Sequence, residues 1–368
     1  MTDFLMGTPY PLKSLKGMVD IKYGKGLPEK ERDTDGKKPV YGSNGIVGYH
    51  SQTITQSPVI IIGRKGSVGA VNFSQSECWP IDTSFYIDVF PEDVNPKWMF
   101  YSLRAVDFRV HAQGPKPGIR RDLLYQLRIP VPTPDEQRRI VSRIEELTSR
   151  AEEVHRLSFE IEDNLDLFLK AAYYRMIEGV QWKPLKEVAS FVRRVIHIKP
   201  DEEYEEMGVR SFGKGTFRKP ILTGRQIGSK RIYRIHEGDL VFNNVFAWEG
   251  AIAVAQSEDY GRVGSHRFIT YVPHQGKATS ESLCYHFLSE KGLEDICAAS
   301  PGSAGRNRTL GLEKLKNINV PVPNYQKQLL FSRIAKRRRE VQRESATIRQ
   351  KLVTYETAVI AKAFRGEL

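Results

Sequence analysis

Apolar residues recur at alternating steps of four and three along residues 140–172. A repeat of 3.5 residues held over this length is typical of a coiled coil, whereas a surface helix shows a wider apolar stripe. The pattern therefore predicts a long helix that pairs with another helix. Its positions, of which only Ser158 is polar, are Ile140, Ile144, Leu147, Ala151, Val154, Ser158, Ile161, Leu165, Phe168 and Ala172.

The sequence also marks where this helix starts and ends. Thr133 is a favourable N-cap, and Pro134 suits the first helical position, where a backbone N–H has no partner. Glu136 has the spacing of a capping box, in which its side chain returns to the backbone N–H of Thr133. Gly179 marks the end. We expect a helix of about 45 residues, which spans roughly 65 to 70 Å.

A second segment repeats this design. The stretch RIPVPTPDEQRRI at residues 128–140 resembles NVPVPNYQKQLLF at residues 319–331, with an offset of 191 residues. Asn324 is the expected N-cap of the second helix. The chain therefore has the order globular domain, helix, globular domain, helix. The apolar positions predicted for the second helix, which Arg338 and Ser345 interrupt, are Phe331, Ile334, Val341, Ile348, Leu352, Tyr355 and Val359.

Charge favours pairing of the two helices. Residues 133–183 carry 8 Lys and Arg against 11 Asp and Glu, whereas residues 324–368 carry 11 against 4. Opposite charges beside the apolar positions select partner and direction in coiled coils. Because the first helix leads to the second domain and the second helix leaves it, side-by-side pairing must be antiparallel. We interpret the run Lys336–Arg339 as facing the acids of the first helix, with DNA or a partner protein as alternatives.

The remaining sequence predicts two α+β domains. Short apolar stretches bounded by glycines, such as SPVIIIGRKGSVGAVNF and GDLVFNNVFAWEGAIAVA, predict strands joined by turns. Helices are expected near residues 97–106 and 280–290. The predicted division is a first domain at residues 1–132, a long helix at 133–183, a second domain at 184–323 and a second long helix at 324–368.

Composition adds an expected partner. Among 368 residues, 56 are Lys or Arg and 44 are Asp or Glu, so the net charge is +12 and the pI is near 9.4. This surplus favours a polyanion such as DNA, RNA or an anionic membrane, with an ordinary basic protein as the alternative. No signal peptide or bilayer-spanning apolar run is found, so a cytoplasmic location is expected.

Signatures of metal binding and catalysis are missing from the sequence. Cys78, Cys284 and Cys297 form no CxxC group and are interpreted as buried apolar residues, and the histidines form no HxH or HxxxH pair. GRKGSVG at residues 63–69 lacks P-loop spacing and predicts a glycine turn. NPKW at residues 95–98 only partly matches the Asn-Pro-Pro-aromatic loop of adenine methyltransferases, because a lysine replaces the second proline.

Five segments carry a resemblance to a known family. They are YGSNGIVGYH (41–50), GRKGSVGAV (63–71), GPKPGIRRDLLYQLRIPVPTPDEQRRI (114–140), the weaker echo SPGSAGRNRTLGLEKLKNINVPVPNYQKQ (300–328) and IAKAFRGEL (360–368). With the internal repeat, they make the whole chain similar to the specificity (S) subunit of type I restriction-modification systems. The second domain departs from the pattern, since FNNVFAWEGAIAV (242–254) stands where the first domain has IGRKGSVGAV.

The resemblance implies an α+β fold with two pseudo-symmetric target recognition domains, separated by a long antiparallel two-helix coiled coil. Each domain would read one half of an interrupted DNA sequence. The helices would dock two methyltransferase subunits, which methylate adenine at N6, and two motor-nuclease subunits would join for restriction. The chain itself would have no catalytic activity, and S-adenosylmethionine, ATP and Mg²⁺ are expected on the partner subunits. A methyltransferase or nuclease with diverged motifs is the main alternative, and a scaffold that ignores DNA sequence is a third possibility.

The candidate DNA contacts are basic, amide and aromatic side chains on predicted loops. Lys and Arg neutralise phosphates, while Arg, Asn and Gln can read base edges in the major groove. For each arginine the alternative is an ordinary solvated charge. No catalytic residue and no metal ligand is predicted. The candidates are Arg64, Lys65, Lys116, Arg120 and Arg121 in the first domain, and Asn243, Asn244, Trp248, His266, Arg267, Arg306, Asn307 and Arg308 in the second.

Overall fold

The computed structural model describes residues 8–33, 35–108, 118–302 and 308–368. Chain contacts divide the protein into two units. Unit 1 consists of Met1–Ser158 together with Ala346–Leu368, and unit 2 consists of Phe159–Ser345. Each unit therefore contains a globular domain and one part of each long helix.

Unit 1 is built on short strands, which pair antiparallel except for β3 with β7. A four-stranded sheet has the order β2-β8-β5-β6, a three-stranded sheet has the order β4-β3-β7, and β1 pairs with β9. Helix α1 packs on the four-stranded sheet, because Met99 and Leu103 share a core with Ile60, Ile62 and Phe85. The elements are β1 (Leu12–Ser14), β2 (Lys22–Tyr23), a 3₁₀ turn (Glu29–Glu31), β3 (Lys38–Gly42), β4 (Gly45–His50), β5 (Val59–Gly63), β6 (Val71–Ser74), β7 (Trp79–Pro80), β8 (Ser84–Ile87), α1 (Pro96–Arg104), α2 (Arg121–Tyr125), β9 (Arg128–Pro130) and the long helix α3 (Pro134–Ile177).

Unit 2 contains two four-stranded sheets, with the orders β11-β18-β15-β16 and β13-β12-β17-β14, and β10 pairs with β19. The elements are β10 (Trp182–Pro184), α4 (Leu185–Val188), β11 (Ala189–Val192), β12 (Glu203–Val209), β13 (Thr216–Thr223), α5 (Gly224–Ile227), β14 (Ile232–Arg234), β15 (Leu240–Asn243), a 3₁₀ turn (Ala247–Glu249), β16 (Ile252–Val254), a 3₁₀ turn (Ser257–Asp259), β17 (Val263–Ser265), β18 (Phe268–Pro273), α6 (Ser280–Leu288), α7 (Glu290–Ala299), α8 (Leu312–Leu315), β19 (Asn319–Pro321) and the long helix α9 (Tyr325–Phe364).

The two units repeat one topology. The order β2-β8-β5-β6 corresponds to β11-β18-β15-β16, and the second sheet of each unit contains a parallel pair, β3 with β7 and β12 with β17. The ribbon that precedes each long helix also recurs, as β1 with β9 and β10 with β19. The predicted α+β fold with two similar domains and two long helices is therefore confirmed.

The long helices pack against each other in antiparallel directions within each unit. In unit 1, Ile144 near the start of α3 shares a core with Val359 near the end of α9. In unit 2, Tyr173 near the end of α3 packs against Phe331 near the start of α9, with ring centroids 5.9 Å apart. Each unit thus uses the opposite ends of the two helices, as the connectivity predicts.

The basic run of α9 meets the acids of α3 at one position. Arg338 forms a two-pronged ion pair with Asp166 of α3, with N–O distances of 2.6 and 2.9 Å, as expected. Lys336 and Arg339 instead lie at 4.0 and 3.3 Å from the carboxylate of Glu281 on α6. The remaining arginine pairs within α9 itself. The expectation for this run was therefore correct for Arg338 and wrong for its neighbours.

The buried face of α3 departs from a strict heptad repeat. Val154, Ile161 and Phe168 were predicted to face the partner helix, but they are 44%, 49% and 56% exposed. A straight helix drifts by about 20° per heptad from a 3.5-residue repeat, so over about four heptads its contact face moves by nearly one residue. In the second half of α3 the predicted contact positions were therefore wrong for Ile161 and Phe168, whereas Ser158 is buried and Ala172 packs against the core. The other side chains buried there are Leu169, Tyr173 and Met176.

The predicted capping box is only half correct. Thr133 does cap α3, because its Oγ1 accepts the backbone N–H of Glu136 at 3.4 Å. The carboxylate of Glu136 does not return to Thr133, since it accepts hydrogen bonds from Tyr10 at 3.2 Å and from Arg139 at 2.8 and 2.9 Å. A charged donor one turn along the helix is a stronger partner for the carboxylate than a backbone amide. Asn324 caps α9 through the N–H of Gln326 at 2.9 Å, as predicted.

A buried glutamine joins the start of α3 to the globular domain of unit 1. The Gln137 Oε1 accepts the backbone N–H of Asn95 at 2.7 Å, and its Nε2 donates to the carbonyls of Asp93 and Pro132, each at 2.9 Å. The residue is 0% exposed. These three bonds tie the first turn of the helix to the residues that precede α1 and to the proline-rich turn.

Unit 2 repeats this arrangement at Gln328, the residue that aligns with Gln137 in the repeat. Its Oε1 accepts the N–H of Thr279 at 3.0 Å, and its Nε2 donates to the carbonyls of Lys277 at 2.9 Å and Pro323 at 2.8 Å. We call Gln137 and Gln328 the glutamine braces. They explain why the chain contains the proline-rich junction twice, since each copy positions one long helix on one domain.

In the part of the chain that the structure describes, no helix is long and apolar enough to cross a membrane. Among the same residues, no three His, Cys, Asp or Glu side chains are grouped in a way that could hold a metal ion. Cys78 is buried, as predicted, whereas Cys284 and Cys297 are half-buried. All three are free thiols.

Candidate nucleic-acid interface

Two of the predicted arginines of unit 1 come together on the ring of Tyr23. Arg64 follows β5 and Arg121 begins α2. Their guanidinium carbons lie 5.2 and 5.0 Å from the ring centroid of Tyr23, within the range of cation–π attraction. The tyrosine is 49% exposed. We call Tyr23, Arg64 and Arg121 the unit 1 cluster.

Backbone carbonyls orient both guanidinium groups. Arg64 donates to the carbonyl of Asp82 at 3.0 Å, and Arg121 donates to the carbonyl of Ile21 at 3.3 Å. Within residues 8–33, 35–108, 118–302 and 308–368, neither guanidinium forms an ion pair with a carboxylate. Their positive charge is therefore held in a defined direction and left uncompensated, which suits charge-assisted hydrogen bonds to phosphate.

The glycine turn beside this cluster has the conformation that the sequence predicts. Gly66 and Gly69 have φ of +80° and +77°, and a Cβ on Gly69 would lie 2.1 Å from the Cβ of Phe108. The turn joins β5 to β6, so it is not a phosphate-binding loop that opens a helix. The NPKW match is also structural, because Asn95 caps α1 and the buried indole of Trp98 donates to the carbonyl of Pro130 at 2.8 Å.

The other candidates of unit 1 differ in their availability. Lys65 is exposed, and its backbone forms a bridge with Gly118 beside the unit 1 cluster. Arg120 is exposed but already pairs with Asp122, with Nε 3.0 Å from a carboxylate oxygen. Lys116 lies outside the described residues. Lys65 is consequently a better candidate than Arg120 for a phosphate contact.

In unit 2, three predicted residues line a concave surface that encloses a volume of about 510 Å³. Asn243 closes β15, and His266 and Arg267 form the turn between β17 and β18. The floor is apolar and includes side chains of both four-stranded sheets. Among the lining residues that sequence analysis did not select are Lys230, Arg231 and Phe246.

One basic residue of this surface, Lys219, pairs with Glu206 at 2.9 Å, and the others are unpaired. Some exposed arginines elsewhere in unit 2 do meet carboxylates, as Arg225 meets Asp201 at 2.7 Å. The amide nitrogen of Asn243 is also free to donate, since its hydrogen bond with Val245 uses Oδ1. We call this surface the unit 2 concavity. The basic side chains of this concavity that form no ion pair with any carboxylate that the structure describes are Lys230, Arg231, His266 and Arg267.

Trp248 and Asn244 have supporting positions. The indole N–H of Trp248 donates to the carbonyl of Val245 at 2.9 Å, the ring packs on the core, and the guanidinium of Arg308 lies 5.2 Å from its centroid. Trp248 therefore positions Arg308, which is the charged group of the pair. The Oδ1 of Asn244 is buried and has no hydrogen-bond partner among the described residues, and the backbone N–H of Asn244 donates to the carbonyl of Arg267 at 2.8 Å. Arg306 and Asn307 lie outside the described residues.

Sequence reasoning missed the residues that only the fold brings together. Tyr23 stands on a two-residue strand, far in sequence from Arg64 and Arg121, and nothing local marks it. Lys230 and Arg231 could have been selected from the sequence, because they are two adjacent cations that follow the Gly-Ser turn at residues 228–229. Phe246 is 38% exposed at the edge of the unit 2 concavity.

Comparison with known proteins agrees with this architecture. Residues 9–163 match the family described as the type I restriction modification DNA specificity domain. No protein with a curated description matches the sequence significantly. The chain covers nearly the full length of several solved structures, although the sequence identity with each is low.

Three of these structures are similar over nearly the whole chain. The S subunit of a type I restriction-modification system from M. genitalium is 15% identical, with a TM-score of 0.55 over 97% of this chain and 96% of that one. The HsdS subunit from Thermoanaerobacter tengcongensis is 18% identical, with a TM-score of 0.54 over 100% of both chains. A chain from a structure of type I R-M complex assembly and conformational transition is 19% identical, with a TM-score of 0.61 over 98% and 99%. The protein thus shares the fold of these subunits along its length, and its residues 9–163 are similar to the type I restriction modification DNA specificity domain.

Proposed function

We propose that this chain is the DNA target-recognition subunit of a type I restriction-modification complex, and that each unit reads one half of a bipartite target. The observation that carries the proposal is the duplication itself. The two units share a topology and a glutamine brace, yet they present unlike groups of unpaired cations. One scaffold with two different surfaces is what recognition of two different half-sites requires.

The surfaces suit the two parts of DNA recognition. In the unit 1 cluster, Arg64 and Arg121 are fixed by backbone carbonyls, so they can bind phosphates without further ordering. In the unit 2 concavity, Asn243 and Arg267 stand at strand ends with free donors, which are the side-chain types that read adenine and guanine in the major groove. Phosphate contacts supply most of the affinity, and base contacts supply the specificity.

The exposed apolar residues of α3 support docking of two methyltransferase subunits. In unit 1, Val154 and Leu157 are 44% and 41% exposed, and in unit 2, Leu167 and Phe168 are 66% and 56% exposed. Apolar groups that leave the helix pair and face solvent are typical of interaction sites. Each unit therefore offers exposed apolar residues on α3, which supports two methyltransferase subunits for each chain. Two motor-nuclease subunits would join the same complex.

On this proposal the chemistry belongs to the partners. They would hold S-adenosylmethionine, ATP and Mg²⁺, while this chain selects the DNA and has no activity of its own in the cytoplasm. Purified chain incubated with duplex DNA, Mg²⁺ and labelled S-adenosylmethionine is then expected to transfer no methyl group and to leave the DNA uncut. Methyl transfer or cleavage by the chain alone would support a diverged enzyme instead.

The decisive experiment is expression of the chain with its methyltransferase subunit, followed by mapping of methylated adenines in the host genome. The expected result is one motif in two parts, with an unread gap of fixed length. Loss of the base-reading donors Asn243 and Arg267 of the unit 2 concavity should weaken recognition of one part only. Methylation without a motif, or equal affinity of the assembled complex for random DNA at fixed salt, would favour a scaffold that ignores sequence.

A further inference from the structure

One aromatic side chain of unit 2 combines high exposure with an unusual backbone. Phe212 has a φ of +60°, and it is the only non-glycine residue with a positive φ in the described ranges. Its side chain is 75% exposed, the highest value for a large hydrophobic residue in the same ranges. The left-handed conformation is a genuine outlier for a bulky residue. An asparagine would tolerate this backbone better and would avoid the exposed ring.

Hydrogen bonds hold Phe212 in this conformation. Its N–H donates to the carbonyl of Glu249 at 2.7 Å, and the N–H of Gly213 donates to the carbonyl of Gly250 at 2.9 Å. The hydroxyl of Ser211 also donates to the carboxylate of Glu249 at 3.0 Å. These bonds tie the turn at residues 210–215 to the turn that ends at Gly250, and they fix the direction in which the ring leaves the backbone. Strain that the surroundings maintain in this way is frequent at functional sites.

The corresponding hairpin of unit 1 is built differently. Residues 210–215 join β12 to β13, whereas only Ser43 and Asn44 join β3 to β4. The longer turn with its exposed aromatic residue is therefore specific to unit 2. A residue that contacts only one half of the DNA target is expected to occur in only one of the two units.

The charges around Phe212 favour DNA as its occupant. Arg210 and Lys214 stand two residues to either side of Phe212 in the sequence. The Lys214 Nζ lies 5.8 Å from the centroid of the Phe212 ring, whereas the Arg210 guanidinium lies 5.0 Å from that of Phe217. As far as the chain is described, neither cation forms an ion pair with a carboxylate. An apolar protein partner would cover the ring but would provide no negative charge to compensate the two cations. A DNA backbone on either side of the ring would neutralise them.

We propose that Phe212 acts as an apolar wedge, whose ring inserts between neighbouring base pairs of the half-site that unit 2 reads. Proteins that insert apolar side chains in this way unstack one base step and bend the duplex. Arg210 and Lys214 would bind the flanking phosphates. Such a wedge distinguishes DNA sequences by how easily one base step deforms. It does not recognise the pattern of hydrogen-bond donors and acceptors on base edges. This inference rests on the proposed function of unit 2.

The test uses the full chain assembled with its methyltransferase subunits. Duplexes of the mapped target carry 2-aminopurine at successive positions of the unit 2 half-site, because loss of stacking raises the fluorescence of this base. With the wild-type complex, fluorescence should rise at one step besides the target adenine. Phe212→Asn, which suits the left-handed backbone, should abolish that rise and weaken binding roughly tenfold. Phe212→Leu should keep most of both effects.

The matched control is Tyr260→Ala, which removes another exposed aromatic ring of unit 2, 67% exposed, and should leave the fluorescence pattern unchanged. A wild-type complex that does not prefer the target to random DNA would defeat the proposed function. A selective complex in which Phe212→Asn changes neither fluorescence nor affinity would defeat the wedge alone. The wedge would also be refuted if Phe212→Asn weakened subunit assembly but not the DNA affinity of the assembled complex.

Discussion

The glutamine braces give a sharp test of how the long helices are held. Gln137→Ala removes three hydrogen bonds and leaves the N–H of Asn95 and the carbonyls of Asp93 and Pro132 without their partner. At about 1 kcal/mol for each bond, the expected cost is about 3 kcal/mol for unit 1. Gln328→Ala should cost unit 2 a similar amount, because it makes the same three bonds. An exposed glutamine of α9, Gln350, provides the control.

A single unfolding midpoint would not resolve two units, so the assay is hydrogen exchange followed peptide by peptide. Gln137→Ala should lower protection in residues 89–108 and 129–145 and leave unit 2 unchanged. Gln328→Ala should do the reverse, with its effect at residues 274–288 and 319–336. Gln350→Ala should stay within about 0.5 kcal/mol of the wild type. If Gln137→Ala costs no more than this control, the braces do not hold the helices.

A near-isosteric change separates the hydrogen bonds from packing. Gln137→Glu preserves the volume, but a carboxylate cannot donate to the two carbonyls and its charge would be buried against them. Its cost should exceed that of alanine at pH 7 and should shrink as the pH falls, because protonation restores one donor. If Gln137→Glu lowered the free energy of unfolding by the same amount at pH 7 and pH 5, the site would tolerate a charge and would be open to water.

Three further predictions concern charge, pH and docking. Replacing Arg64 and Arg121 by Gln should weaken binding of every sequence alike and lower the salt slope by about 1 for each contact, as measured by fluorescence anisotropy. Burial lowers the pKa of His286 from 6.5 to about 4, so the unfolded chain binds a proton first as the pH falls. Unit 2 should then lose about 2 kcal/mol between pH 7 and pH 5, measured by hydrogen exchange of its peptides, a loss that His286→Phe removes. Phe168→Asp should abolish co-purification of the methyltransferase subunit, whereas Lys170→Asp, also exposed on α3, should not.

Local features of the fold could be predicted because they depend on neighbouring residues. The caps at Thr133 and Asn324 follow from the side chain and the next few amides, and both are present. The capping role of Glu136 failed because Tyr10, 126 positions away, and Arg139 compete for its carboxylate. The duplication could be predicted from the sequence, because each glutamine brace requires its own copy of the proline-rich junction.

The contact face of α3 could not be predicted beyond its first turns. Val154, Ile161 and Phe168 continue the spacing of Ile140 and Ile144, so the sequence does not distinguish residues that face the partner helix from residues left exposed. Drift of a straight helix separates the two sets only in three dimensions. The same holds for the unit 1 cluster, in which Tyr23 meets its two arginines only after the sheet has formed.

The composition of unit 1 affects the order in which the protein matures on the ribosome. Unit 2 is one continuous stretch, but unit 1 also needs residues 346–368, which are translated after unit 2. Phe364 from this stretch is 0% exposed and packs on the ring of Trp98 at 4.7 Å. A released chain that ends at residue 345 should therefore show a protease-resistant unit 2 and an open unit 1. A chaperone that covers apolar surface would be needed longest by the part of unit 1 that precedes unit 2.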